Sequence, residues 1–301
     1  MGLNSVDFLA LVPAYPIPYL KMKLLRFSKQ GGGQVATAMV ALRRWGIKTK
    51  YIGKVGGDEL GHFSLHSIRE EGVDTSSVTV EPNAINQVAV IIVDGQTGER
   101  TILWDRDERL MYSKNELRKE EVCAGKILHL DGHDIQAAIR CATWAKEEGI
   151  PTVLDIDKVE PLTSELIKRI DFVITSSRFP ALYTGLSNPK EALLKIQEEI
   201  SGFLCATWGS EGAFALVDGE LFHVEGTQVK VVDTTGAGDV FHAGFIYGLL
   251  QNWELGDILR FANWSAGLKC REMGGRKGIP SFEEVQKFKN EIDKRKDQKV
   301  S

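Results

Sequence analysis

The stretch Val231-Val232-Asp233-Thr234-Thr235-Gly236-Ala237-Gly238-Asp239-Val240-Phe241 decides the reading of this chain. Two β-branched residues mark the end of a strand, and a helical pattern begins at Asp239. Between them lies a turn of small residues, Thr-Gly-Ala-Gly, with so little bulk that a ligand can approach the peptide N–H groups. Those groups stand at a helix N-terminus, where unsatisfied donors and the positive end of the dipole favour an anion. Asp239 lies at the same mouth. A carboxylate beside an anion cradle suits one task, taking a proton from a hydroxyl while an incoming phosphoryl group is held still. The competing reading is a plain strand–turn–helix junction with Asp at a helix cap.

Other glycine-rich blocks frame this one. Gly31-Gly32-Gly33-Gln34-Val35-Ala36-Thr37-Ala38 leads into a helical pattern, Gly2 precedes Asp7 by five positions, and Gly53-Lys54-Val55-Gly56-Gly57-Asp58-Glu59-Leu60-Gly61 follows. The first block is neither a Walker A loop, lacking Gly-Lys-Ser/Thr, nor G-x-G-x-x-G. Taken in order from Gly2 to about Ile279, with D-T-T-G-A-G-D-x-F-x-A-G from Asp233 to Gly244, the blocks resemble those of the ribokinase-like (PfkB) carbohydrate kinases. Gly98-Glu99-Arg100-Thr101-Ile102, Asp233–His242 and Cys270–Pro280 resemble ketohexokinase-like and sulfofructose-kinase-like members most.

Bulk properties set the bounds. A chain of 301 residues, 43% apolar and 26% charged, can bury one large core. A net charge of −4 gives no general basic footprint for nucleic acid. The basic tail (Lys287, Lys289, Lys294, Arg295, Lys296, Lys299) reads as a solvated helix end. Cys123, Cys141, Cys205 and Cys270 are far apart, which fits free thiols in a reducing compartment. No apolar run is long enough to span a membrane, and no signal-peptide pattern opens the chain, so a cytoplasmic location is expected.

From about residue 120, short apolar runs (Lys126–Leu130, Thr152–Ile156, Phe172–Thr175, Phe203–Thr207) alternate with helical stretches such as Ile135–Glu148 and Pro189–Ile200. This rhythm predicts a parallel sheet with helices on both faces. Ala213–Val217 and Leu221–Val224 flank the hairpin signal Asp218-Gly219, and helices are expected over Val240–Gln251, Leu255–Arg271 and Phe282–Arg295. Phe8–Ser28 and Asn86–Trp104 read as extended strands. The resemblance implies a single α/β kinase domain over residues 1–301, a three-layer fold with a mainly parallel central sheet. The segments at about 8–28 and 86–104 would form a small β-sheet lid. The lid carries more apolar surface than a thin sheet buries alone, which predicts a homodimer through it.

The family pattern also implies roles. Asp239 matches the catalytic base, and the Gly236, Ala237 and Gly238 amides match the anion hole. Asp7 matches an acceptor of sugar hydroxyls, with Gly32 and Gly33 leaving room for the sugar; the Asn residues that many relatives carry at positions 33 and 36 are absent. Thr207, Gly209 and Gly212 match a loop near the triphosphate, and Asn263, Ala266 and Gly267 the helix beside the adenine, where helix packing is the alternative role for the small residues. Asp233 and Thr235 match a monovalent-cation site, K⁺, against the alternative of a turn-stabilising pair. ATP with Mg²⁺ is the implied donor, yet Ser176 and Phe179 stand where relatives carry N-x-x-E. His242 reads as packing or capping, and Arg106 and Arg109 as solvated loop residues, with an anionic group of the substrate as their alternative partner. The expected function is phosphorylation of a sugar hydroxyl, with a ketose preferred. A nucleoside kinase, using Tyr15, Tyr19 and Trp104 around a base, and a catalytically silent sugar-binding regulator are the rivals.

Overall fold

The computed structural model describes residues 1–217 and 219–290. Strands and helices, in chain order, are β1 (Ser5–Val12), β2 (Arg26–Gly32), α1 (Gln34–Arg44), β3 (Lys50–Gly56), α2 (Glu59–Arg69), β4 (Asp74–Glu81), β5 (Val88–Asp94), β6 (Arg100–Asp105), α3 (Lys119–Val122), β7 (Leu128–Asp131), α4 (Ile135–Glu147), β8 (Thr152–Ile156), α5 (Thr163–Ile167), β9 (Phe172–Ser176), α6 (Phe179–Thr184), α7 (Pro189–Gln197), β10 (Phe203–Thr207), β11 (Ala213–Val217), β12 (Glu220–Val224), α8 (Ala237–Leu250) and α9 (Leu255–Lys269). Residues 282–290 are helical, and the remainder of the helix expected over Phe282–Arg295 lies outside the described residues, as does Asp218 of the hairpin signal.

The apolar runs become a six-stranded sheet in the order β12-β11-β10-β9-β8-β7. Strands β7 to β10 are parallel, and β11 and β12 add antiparallel at one edge. Successive side chains of a strand point to opposite faces, and here both faces are covered. Val153, Ile174 and Cys205 face α1, α8 and α9, whereas Leu154, Val173 and Leu204 face α4, α5 and α7. Hence these strands read as unbroken apolar runs rather than as alternating ones. A parallel pair, β3 with β4, lies beyond β7. The segment before β1 runs between the two sheets: Gly2 donates to the Ile52 carbonyl and Leu3 to the Asp131 carboxylate.

Helix α8 is apolar nearly all round and is buried accordingly. It lies close against α9, for a Cβ at Gly244 would sit 2.7 Å from Ala262 Cα.

The separate four-stranded sheet has the order β2-β1-β5-β6. One face carries Leu9, Ala89, Ile91 and Val93, packed on Met273 and Val232 of the main body. By register, Asp7, Arg100, Ile102 and Trp104 share this inward face, and Trp104, Ala89 and Asp7 stand in one row. The outward face carries Phe27, Val90 and Leu103, all exposed. Two expectations change. Residues 13–25 of the Phe8–Ser28 segment form bends and turns rather than strand, and residues 225–232, just before Asp233, form no strand. The Val232 and Asp233 amides instead donate to the Cys270 carbonyl after α9, so the segment is tied to a helix end rather than to a neighbouring strand.

Candidate active site

The turn singled out by the sequence closes on itself before α8 begins. Asp233 Oδ1 accepts from the Thr235 amide (2.8 Å) and hydroxyl (2.7 Å), and Oδ2 accepts from the Gly274 amide (2.7 Å). Gly236 adopts φ 78°, where only glycine is unstrained, and an added Cβ would lie 2.6 Å from Gly275 Cα. The helix therefore starts at Ala237, two residues before the expected Asp239. The three amides expected to form an anion hole are not equally free. The Ala237 amide is spent on the Thr234 carbonyl (3.2 Å), closing the turn, whereas the Gly236 and Gly238 amides meet no acceptor among the described residues. Gly238 faces open space, and a methyl group added there would meet nothing within 4 Å.

Asp239 occupies the first turn of α8, half-buried. Burial, reinforced by the neighbouring Asp155 carboxylate and opposed by His242 and Arg100, raises its carboxyl to about 7. Asp7 is among the same neighbours. A carboxyl held near neutrality can both accept and release a proton at physiological pH.

Asp7 is buried on β1, where Ser5 Oγ donates to it at 2.8 Å. Gly32 on β2 pairs with Ser5, and a Cβ there would come 2.1 Å from Asp7 Oδ2. The glycine thus makes room for the carboxylate itself. Gly33 has φ 91°, and its missing Cβ admits the Leu3 carbonyl. Burial raises the Asp7 pKa, against the lowering by Ser5 and by Arg276.

Several residues of this site escaped the sequence reading. Arg276, buried, donates to Asn4 Oδ1 (3.1 Å), the Gly32 carbonyl (2.6 Å) and Ser67 Oγ (2.9 Å), and burial lowers its pKa to about 10. It holds the glycine strand against β1. Asp155 lies one residue before the end of β8; the Gln34 side chain bonds it, and His242 Nδ1 stands 3.4 Å away while also meeting the Gly238 carbonyl at 2.8 Å. Burial pushes the Asp155 carboxyl well up and the His242 imidazole down. Gln34 Oε1 and Asn4 Nδ2 are buried without partners among the described residues. Arg100 Nη1 donates to Thr234 Oγ1 at 2.8 Å, and Lys269 Nζ to the Asp233 carbonyl at 2.9 Å. The signals were present as charges ending apolar runs, but single charges of this kind are too common to stand out.

On the other side of the turn, Thr207 ends β10 and donates to the Thr175 carbonyl. Gly209 is open, whereas Gly212 packs on the segment after β12, where a Cβ would meet the Val224 carbonyl at 2.0 Å. Asn263 Nδ2 donates to that same carbonyl (3.1 Å), and Gly267 packs against Thr227. Gly267 thus takes the packing role that was open to it, and Asn263 is tied to the end of β12. Half-buried Ala266 belongs to the same helix. Phe179 is fully buried and stacks on Tyr183. Tyr15 meets outward-facing Thr101 and Tyr19 is fully exposed, so neither joins Trp104 in a base-binding pocket. Arg106 donates to the His133 and Leu110 carbonyls, and Arg109 pairs with Asp107. Among the described residues no cluster of three or more His, Cys, Asp or Glu could hold a metal ion. Nor is any helix among them long and apolar enough to cross a membrane.

The family model of the pfkB carbohydrate kinases matches residues 3–281. The chain belongs to this family. Among curated relatives, ketohexokinase of Mus musculus is 26% identical over 285 residues, covering 91% of this chain and 96% of its own. Among solved structures, a chain from Agrobacterium tumefaciens is 28% identical with a TM-score of 0.91, each chain being covered to 97%. Ribokinase of Arabidopsis thaliana, solved with ribose and ATP, superposes with a TM-score of 0.80 at 22% identity, covering 95% of this chain and 96% of its own. This pfkB chain is therefore a carbohydrate kinase with the ribokinase-like α/β fold, and ATP is the phosphoryl donor of its family.

Proposed function

We propose that this kinase transfers the γ-phosphoryl group of MgATP to a hydroxyl of a neutral sugar, a ketose by preference, in the space between the inward face of the four-stranded sheet and the start of α8. The observation that carries the reading is the pairing of a carboxyl raised to about 7 with two unspent amides in one helical turn, Asp239 with Gly236 and Gly238. Asp239 takes the proton as the hydroxyl attacks, a contribution of roughly 10²–10⁴ in rate. The two amides and the α8 dipole hold the charge on the transferring group, and one such donor is worth on the order of 2.7–4 kcal/mol. Arg100 adds a positive charge from β6, so that the sheet acts as a lid whose approach completes the site.

On the acceptor side, Asp7 receives sugar hydroxyls, with Asp155 on the same side of Asp239. A hydroxyl both donates and accepts, which suits the partnerless Gln34 Oε1 and Asn4 Nδ2. Three carboxylates disfavour an anionic acceptor. Trp104, 55% exposed on the inward face, offers an apolar wall in the same row as Asp7, two strands away. The nucleotide lies along Thr207, Gly209 and the segment that Asn263 and Gly267 position. Magnesium arrives as part of its complex with ATP. The outward sheet face, with Phe27, Val90 and Leu103, joins two copies of the chain as a homodimer.

Coupled ADP release across ketoses, aldoses, sugar acids and nucleosides tests the reading. Turnover with a neutral sugar supports it. A preference for nucleosides, or sugar-dependent thermal stabilisation without any ADP release, contradicts it in favour of a nucleoside kinase or a silent regulator.

A further inference from the structure

We infer that the ammonium group of Lys269 fills the place beside Asp233 that a monovalent cation would take, so that this chain carries its own fixed cation. The kinetic part of the inference rests on the kinase reading above; the placement does not. Lys269 ends α9 with 0% exposure, although a lysine in the interior is costly unless its charge is met. It is met here by the Asp233 carbonyl, to which Nζ donates at 2.9 Å, and by the nearby Asp233 carboxylate, itself fully buried.

The Asp233 oxygens and the Thr235 hydroxyl, the groups expected to meet such a cation, are already engaged. Both carboxylate oxygens of Asp233 accept from Thr235 and Gly274, its carbonyl accepts from Lys269, and the Thr235 hydroxyl donates back to Asp233. Arg100 is a second positive charge bearing on Lys269, and it is tied to Thr234 in the same turn. A third cation would be repelled by both. The residues therefore do not fit K⁺ as a resident ion. An ammonium group carries the same charge and can organise the turn equally well, fixing the peptide planes of residues 233–236 and with them the Gly236 and Gly238 amides.

The test compares K⁺ with tetramethylammonium, which is too large to enter. The wild-type melting temperature should be the same in both, and ADP release should agree within about twofold. Lys269→Ala should lose at least tenfold in turnover in tetramethylammonium and should melt higher once K⁺ is added, recovering part of the activity. Lys269→Met, which keeps the bulk, should lose turnover without rescue. Crystals of the wild type soaked in thallium(I) should show no ion at Asp233. Thallium at Asp233, a melting temperature of the wild type raised by K⁺, or tenfold K⁺ activation overturns the inference. The melting and thallium readouts need no turnover, so they decide it even if no acceptor is phosphorylated.

Discussion

Arg100 of β6 donates to Thr234 Oγ1 at 2.8 Å, joining the four-stranded sheet to the turn that opens α8. Thr234 in turn meets Gly98, whose carbonyl accepts from both its amide and its hydroxyl. The link brings a guanidinium to the turn that carries the two free amides. Arg100→Gln should therefore lower kcat by about 10²-fold, the scale of one lost charge-stabilising donor. The KM for the sugar should change less than kcat, and steady-state kinetics on both substrates separates the two effects.

With Asp239 as the proposed base, its raised carboxyl should set the pH profile. The base must be ionised to act, so kcat/KM should fall tenfold per pH unit below about 7 and level off above it. Asp155→Asn removes the neighbour that contributes most charge to this shift, and should move the inflection to lower pH. An unmoved profile in that variant contradicts the assignment.

Stability should follow the same group with the opposite advantage. Its folded pKa lies above the unfolded value, so the native state binds more protons between about 4 and 7. The contribution of Asp239 is thus most favourable at low pH and is lost as pH rises through that window. Asp239→Asn should melt several degrees above the wild type at pH 8 and near it at pH 4, by calorimetry, while its turnover falls by roughly 10²–10⁴.

Gly32→Ala places a methyl group 2.1 Å from the Asp7 carboxylate. The carboxylate must move or the strand must shift. The KM for the sugar should rise at least tenfold with the KM for ATP unchanged, and Gly238→Ala, which meets open space, should fold normally.

The outward sheet face makes a prediction about assembly. Leu103→Asp should convert a dimer into a monomer in sedimentation velocity, with the circular dichroism spectrum unaltered. A wild type that sediments as a monomer at high concentration contradicts a dimer through this face.

Much of the fold was legible because the strands of the second half are buried on both faces. An apolar run such as Thr152–Ile156 or Phe203–Thr207 then has sharp ends, and its bounds match the structure. The pair β3–β4 was missed, because Lys50–Gly56 contains two glycines and buried Lys54, whose ion pairs with Glu81 and Glu116 come from distant segments. The strand expected before Asp233 failed for a related reason. Val231 and Val232 have strand-like side chains, but a strand needs a partner, and what the Val232 and Asp233 amides find is the Cys270 carbonyl. In the site, glycines and the Asp at the helix start were visible because few residue types fit there. Arg276, Asp155 and Lys269 were not, since their meaning lies in what they touch across the fold.

The most direct measurement of the central claim is a crystal structure of the protein with a neutral sugar, MgADP and aluminium fluoride, a mimic of the phosphoryl group in flight. For the proposed transfer, the fluoride ligands should lie within hydrogen-bond distance of the Gly236 and Gly238 amides, with one sugar hydroxyl at Asp239 and another at Asp7. A mimic bound away from the start of α8, or a sugar with no hydroxyl reaching Asp239, would contradict it.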